Sequence, residues 1–238
     1  MRTGVTGGAS RTGRGGQART RLARTAVVQA ARALFLDRGY AATTVEAISN
    51  ASDVPPATVY RLFSSKLGIL KSLLDVSIAG DEEAVPVQDR PRARALLADP
   101  DPRSLLSGFA GITAGIMARA EPVYRILVSA AGSDPGAAAL LAEQARQRDQ
   151  GQEQIARALT RSAALRPGLR ERDAADIIHA LMSPEVYRLL VGDRGWDPDQ
   201  YRQWLATTLI GQLLPAPVTG GGRIAPGAER PATRSRPA

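Results

Sequence analysis

Residues 43–63 read TTVEAISNASDVPPATVYRLF, and no other stretch of the chain restricts its fold as much. Val45, Ile48, Val54, Val59 and Leu62 have the spacing that packs two short helices on each other and on a helix before them. Residues 52–54 form the turn between the two. The pattern is a helix-turn-helix core. Thr43 stands three residues before Glu46, a capping box that opens the first of these helices. Asp53 occupies the turn, where it tolerates a left-handed backbone better than most residues do. Pro56 suits the first position of the second helix, because that amide is unpaired in any case. Pro55 replaces a capping side chain worth about 1 kcal/mol.

The flanks agree with a helical domain. A first helix is expected from Arg21 to Arg38, with Val27, Val28, Ala31, Leu34 and Phe35 on one stripe, and Gly39 supplies the stop after it. The motif helices should end near Ala51 and Phe63. Ser65 caps a fourth helix that runs to about Ile78. Residues 81–102 are charged and broken by prolines, and read as a linker. Helical stretches follow at 103–119, 121–131, 135–163, 171–192 and 197–214. Alanine and leucine carry the apolar content while β-branched and aromatic residues are sparse, which favours helices over sheets. The expectation is an all-α chain: a basic tail (1–20), a helix-turn-helix domain (21–80), a linker (81–102), a helical bundle (103–214) and a second tail (215–238).

The net charge of +8 is a property of the tails. Residues 1–24 hold six arginines and no acid, and residues 215–238 hold four arginines against Glu229, so the body between is close to neutral. Both tails are too poor in apolar residues to order themselves. The first reads as a solvated extension that adds nonspecific attraction to a polyanion, with a minor-groove arm as the other reading.

Several function classes drop out. The chain has no cysteine and one histidine, which removes thiolate chemistry and argues against a zinc site. No nucleophile–base pair, metal cluster or cofactor loop is recognisable, so no catalytic residue, metal or cofactor is assigned. GGASRTGRG at 7–15 has Arg14 where a phosphate loop needs lysine, and no strand precedes it. His179, among Ile177, Ile178, Leu181 and Met182, reads as a packing residue. No apolar run is suited to span a membrane, so a cytoplasmic protein is expected.

A wider match adds to this reading. AARALFLDRGYAATTVEAISNASDVPPATVYRLFSSKLGIL resembles the N-terminal DNA-binding domain of the TetR (tetracycline-repressor) family of transcriptional regulators. The elements that carry the likeness are A-x-x-L-F-x-x-x-G-Y, T-T-V-E-x-I and T-V-Y-R-x-F-x-S-K, in order and in register. The resemblance implies that Thr43, Thr44, Thr58, Tyr60 and Lys66 face the phosphate backbone of double-stranded DNA. Pro56, Ala57 and Arg61 complete the expected DNA-binding set, with base reading at the start of the helix left to apolar contacts. Helix N-termini with their free amides suit phosphates, so the reading helix need not be basic.

By the same resemblance the chain is a homodimeric repressor of a pseudo-palindromic operator, released by a small-molecule effector. The dimer is expected through 171–192 and 197–214. Trp196, Trp204, Phe109, Met117, Tyr124 and Tyr187 suit a ligand cavity or an ordinary core equally well, and no ligand-binding residue is assigned. The alternative is an α-helical enzyme or small-molecule carrier with a superficial likeness to a regulator.

Overall fold

The computed structural model describes residues 11–80 and 87–216, and among them every regular element is a helix. The N-terminal part comprises α1 (Arg11–Ala42), α2 (Val45–Ser52), α3 (Pro56–Phe63) and α4 (Lys66–Ala79). After it come α5 (Pro91–Leu97), α6 (Pro102–Ala131), α7 (Pro135–Arg161), α8 (Glu171–Leu181), α9 (Pro184–Tyr187) and α10 (Pro198–Leu213). A π-helical turn, Arg188–Asp193, links the last two.

Several boundaries differ from the sequence expectation, each for a tertiary reason. The first helix is already formed at Arg11, ahead of the expected Arg21, because a helix anchored by its packed stripe extends at little cost beyond that stripe. Residues 1–10 and 217–238, which hold much of the two expected tails, lie outside the described residues. The stretches at 103–119 and 121–131 are one helix that continues through Pro122. Proline removes one backbone hydrogen bond there. Leu106, Ala110, Val123 and Leu127 are fully buried along the helix, and that burial outweighs the lost bond. The expected helix 171–192 is interrupted instead. α8 stops at Leu181, and Ser183 restarts the chain by accepting the Val186 N–H at 3.2 Å, with Pro184 in the first turn of α9. Within the expected linker, α5 docks on α6, with Ala93 buried.

Two apolar cores run through the molecule. One joins Val27, Ala31 and Phe35 of α1 with Ile48 of α2, Val59 of α3 and Ile69, Leu70 and Leu74 of α4. It is completed by Val123 and Leu127 of α6 and by Ala137 and Leu140 of α7. The other gathers Leu106 and Ala110 of α6, Ile155 and Leu159 of α7, Ile178 of α8 and Tyr201, Leu205 and Leu209 of α10. Thus α6 and α7 each contribute to both cores, and a displacement of either is felt in the N-terminal helices.

Candidate functional site

The helix-turn-helix is assembled by local bonds that the chain carries with it. Thr44 is the cap of α2, and its Oγ1 accepts the Ala47 N–H at 3.1 Å. Asp53 is left-handed (φ 54°, ψ 32°), and the Ser49 hydroxyl donates to the Val54 carbonyl at 2.6 Å to close the turn. Pro55 precedes α3 without a side-chain cap, and its carbonyl accepts the amides of Thr58 and Val59 at 2.9 and 3.1 Å. Pro56 therefore sits at the first helical position, leaving Ala57 as the first residue of α3 with an amide to offer. Ser65 caps α4 by accepting the Gly68 N–H at 3.0 Å. Gly68 is obligatory for a reason no local pattern announces: a Cβ there would stand 1.9 Å from the Phe63 carbonyl oxygen.

On the outer face of this unit Thr44, Pro56, Ala57, Tyr60 and Arg61 are exposed, and Thr58 is half-buried. Tyr60 Oη reaches toward Glu46 Oε1 at 3.5 Å, the outer limit of a hydrogen bond. Two expected residues are placed otherwise. Thr43 is buried, and its hydroxyl donates to the carbonyls of Gly39 at 2.8 Å and Leu34 at 3.3 Å. The capping residue is its neighbour Thr44, so the expected Thr43–Glu46 box does not form: Thr43 turns inward because Val45 and Ile48 must enter the core. Lys66 is half-buried at the start of α4. Its Nζ donates to the Tyr40 carbonyl at 2.8 Å and stands 4.3 Å from the centre of the Tyr40 ring.

Two further residues hold the unit together, and neither carries a sequence signal. Arg24 of α1 donates to the Leu62 carbonyl at the end of α3 (3.1 Å) and to Ser72 of α4 (3.4 Å). Its guanidinium lies 4.8 Å from the centre of the Phe63 ring. Asp134, the cap of α7, accepts the amides of Gly136 and Ala137 and also the Tyr40 hydroxyl at 3.2 Å. Those amide donors hold its carboxyl below the usual range. Burial, then the Asp134 charge, pushes the Tyr40 phenol up to about 12. Tyr40 follows the break in α1 at Gly39 (φ 77°, ψ 170°) and so ties Lys66 on one side to α7 on the other.

A cavity of about 1320 Å³ opens beside this unit. Its walls come from α1 (Thr20, Arg24, Val28), α4 (Ser72, Leu74), α6 and α7, and Met182 and Pro184 lie at its border. Phe109, Met117 and Tyr124 line it, whereas Trp196 and Trp204 pack edge-on against each other at 6.1 Å outside it. Glu121, Gln144 and Gln152 are buried polar residues on its walls. His179 lies beyond Gln152: its Nδ1 is 2.9 Å from Gln152 Oε1 and 2.8 Å from Asp149 Oδ1. No helix among the described residues is long and apolar enough to cross a membrane.

Comparison with known proteins agrees with this geometry. Residues 27–73 match the family model "Bacterial regulatory proteins, tetR family". NalD, the secondary repressor of the MexAB-OprM multidrug efflux pump in Pseudomonas aeruginosa, superposes with a TM-score of 0.63 at 23% identity, over 82% of this chain and 98% of that one. The ketosteroid regulator KstR2 of Mycobacterium tuberculosis gives 0.54 at 19% identity, over 81% and 95%. A putative transcriptional regulator from Saccharomonospora viridis, solved in complex with choline, gives 0.62 at 20% identity, over 82% and 98%. Among curated proteins none matches. The structural likenesses establish the fold, and residues 27–73 carry the sequence pattern of the tetR-family regulatory proteins.

Proposed function

We propose that this chain is a tetR-family regulator, a cytoplasmic homodimeric repressor that binds a pseudo-palindromic operator and is released by a small molecule. The observation that carries the reading is the position of the cavity. Arg24 lines it and also bonds the last turn of α3, so an occupant touches a residue that holds the reading helix. NalD is a repressor by its description, and the Saccharomonospora viridis regulator holds a small molecule, choline. Both facts fit an effector-responsive repressor here.

In this reading Thr44, Thr58, Tyr60 and Lys66 contact phosphates, and Pro56, Ala57 and Arg61 meet the groove. Thr43 serves by positioning α2. Lys66 makes its phosphate contact while it holds Tyr40, having donors to spare. A single reader of this size makes too few contacts for tight specific binding, so a second copy completes the site. The dimer forms through α8 and α10: Ile177, Trp204 and Ile210 are only partly covered within one protomer, and Leu189 is exposed between these helices. Tyr201, Leu205 and Leu209 of the same expected stripe fill the protomer's own core.

Selection of bound sequences from random DNA with the purified protein tests the proposal. A two-fold symmetric consensus is expected. Retention of DNA without any consensus refutes the operator reading.

A further inference from the structure

The chemistry of the cavity's occupant is written in one side chain. Glu121 lines the cavity and is only 9% exposed, and its Oε1 accepts no hydrogen bond. A buried carboxylate oxygen without a donor is costly, so what stands around it decides its use. The one cation in ion-pair range, Arg125, has Nε at 3.3 Å but out of line for a hydrogen bond, and its side chain is 61% exposed. Arg188 is committed to Asp193 at 2.7 Å. Burial wins over both arginines and raises the Glu121 carboxyl above its usual range. Among the cavity's other polar groups, Gln152 has His179 as a partner at 2.9 Å, while Arg148 Nε is, like Glu121 Oε1, buried without a hydrogen-bond partner.

The remaining walls limit the alternatives. Ile112, Ile116 and Met117 of α6 make an apolar track along the same helix as Glu121. Among the described residues no group of three His, Cys, Asp or Glu side chains could hold a metal ion. The cavity arginines favour an anion less than Glu121 favours a cation. Arg21 is exposed, and Arg24 is engaged by Leu62, Ser72 and Phe63. Arg148, although its Nε has no hydrogen-bond partner, spreads its charge over a guanidinium 6.0 Å from the centre of the Tyr124 ring, on a side chain less buried than Glu121.

We propose that the cavity takes a lipophilic organic cation, its charged nitrogen or phosphorus centre seated at Glu121 and its apolar body along Ile112, Ile116 and Met117. This rests on the reading of the cavity as the effector site. The apolar track supplies affinity by burial, and the carboxylate selects the sign of charge.

Isothermal titration at pH 8 of the full chain with tetraphenylphosphonium, neutral triphenylphosphine oxide and tetraphenylborate tests it. The phosphonium ion is expected to bind, Glu121→Gln to weaken it at least about tenfold while leaving the phosphine oxide unchanged, and Arg125→Ala to tighten it by removing a competing charge. Glu121→Gln keeps the side-chain shape, and Arg125 lies on the exposed side, so the opposed effects separate charge from folding. Absence of phosphonium binding, equal binding by Glu121→Gln, or preference for tetraphenylborate overturns the cation site. Operator retention is read separately. Phosphonium binding that depends on Glu121 but leaves operator binding unchanged supports the cation site and removes the effector reading. Release by neutral or anionic compounds alone does the reverse.

Discussion

Lys66 is the residue on which the folded structure and the expected DNA contact make different demands, and Lys66→Met separates them. Methionine keeps the apolar stem and removes the charge. The charge-assisted bond to the Tyr40 carbonyl, 2.8 Å long, is of a kind worth about 1.5–3 kcal/mol. The ammonium over the Tyr40 ring at 4.3 Å adds about 0.5–1 kcal/mol at a partly exposed site. Against these stands the freedom lost in fixing a lysine chain, up to about 2 kcal/mol. The net is a loss of about 1–2 kcal/mol, or a fall in Tm of about 2–8 °C for a chain of this size. Differential scanning calorimetry of the free protein measures it. Operator binding across a salt series measures the second role: loss of one phosphate contact per protomer flattens the log–log slope by about 1.8 in a dimer. An unchanged Tm refutes the internal tie to Tyr40. An unchanged slope removes Lys66 from the phosphate contacts.

Gly68→Ala places a methyl group 1.9 Å from the Phe63 carbonyl, so α3 and α4 must part; a loss of about 2 kcal/mol or more is expected by urea denaturation, and a wild-type midpoint contradicts the close approach. Pro56→Lys keeps the melting temperature, because the position is the exposed first residue of α3, while nonspecific DNA affinity rises with a steeper salt dependence. Tyr40 has a folded-state pKa of about 12, above its ordinary 10.0, so it supports the fold fully below pH 10 and loses that support as pH rises toward 12. Tyr40→Phe should therefore flatten the alkaline fall of Tm between pH 10 and 12, and an unaltered profile contradicts the assignment. Gly211→Arg on α10 meets no protomer atom at its Cβ, yet it puts a charge on the proposed dimer face. Sedimentation should show dissociation with the protomer still folded, and a persisting dimer moves the interface elsewhere.

The parts of this molecule that local physics governs were legible in the chain. The expected third helix, from Pro56 to Phe63, coincides with α3, because a proline tolerated only at the first turn marks its start. Ser65 caps α4, and Asp53 takes the left-handed turn as its short polar side chain allows. The all-helical class followed from the alanine- and leucine-rich composition, and the helix-turn-helix from the spacing of Val45, Ile48, Val54 and Val59, all of them buried. In each case the deciding interaction spans a few residues, so the order of residues along the chain contains it.

Tertiary structure decided whatever depends on partners distant in sequence. Thr43 and Thr44 are the same residue type side by side, and only burial of the first against Leu34 and Gly39 leaves the second to cap α2. Pro122 does not end α6, and Ser183 does end the run after α8, because packing on neighbouring helices outweighs local preference at the one and not at the other. Arg24 meets Leu62 across 38 positions and Tyr40 meets Asp134 across 94, contacts that no periodicity encodes. The cavity is of the same kind: its walls come from helices on both sides of residues 81–102, so the carboxylate of Glu121 becomes a buried, poorly neutralised charge only once α6 is enclosed. Residue order sets which helices form, and their mutual enclosure sets which side chains lose water and which keep it.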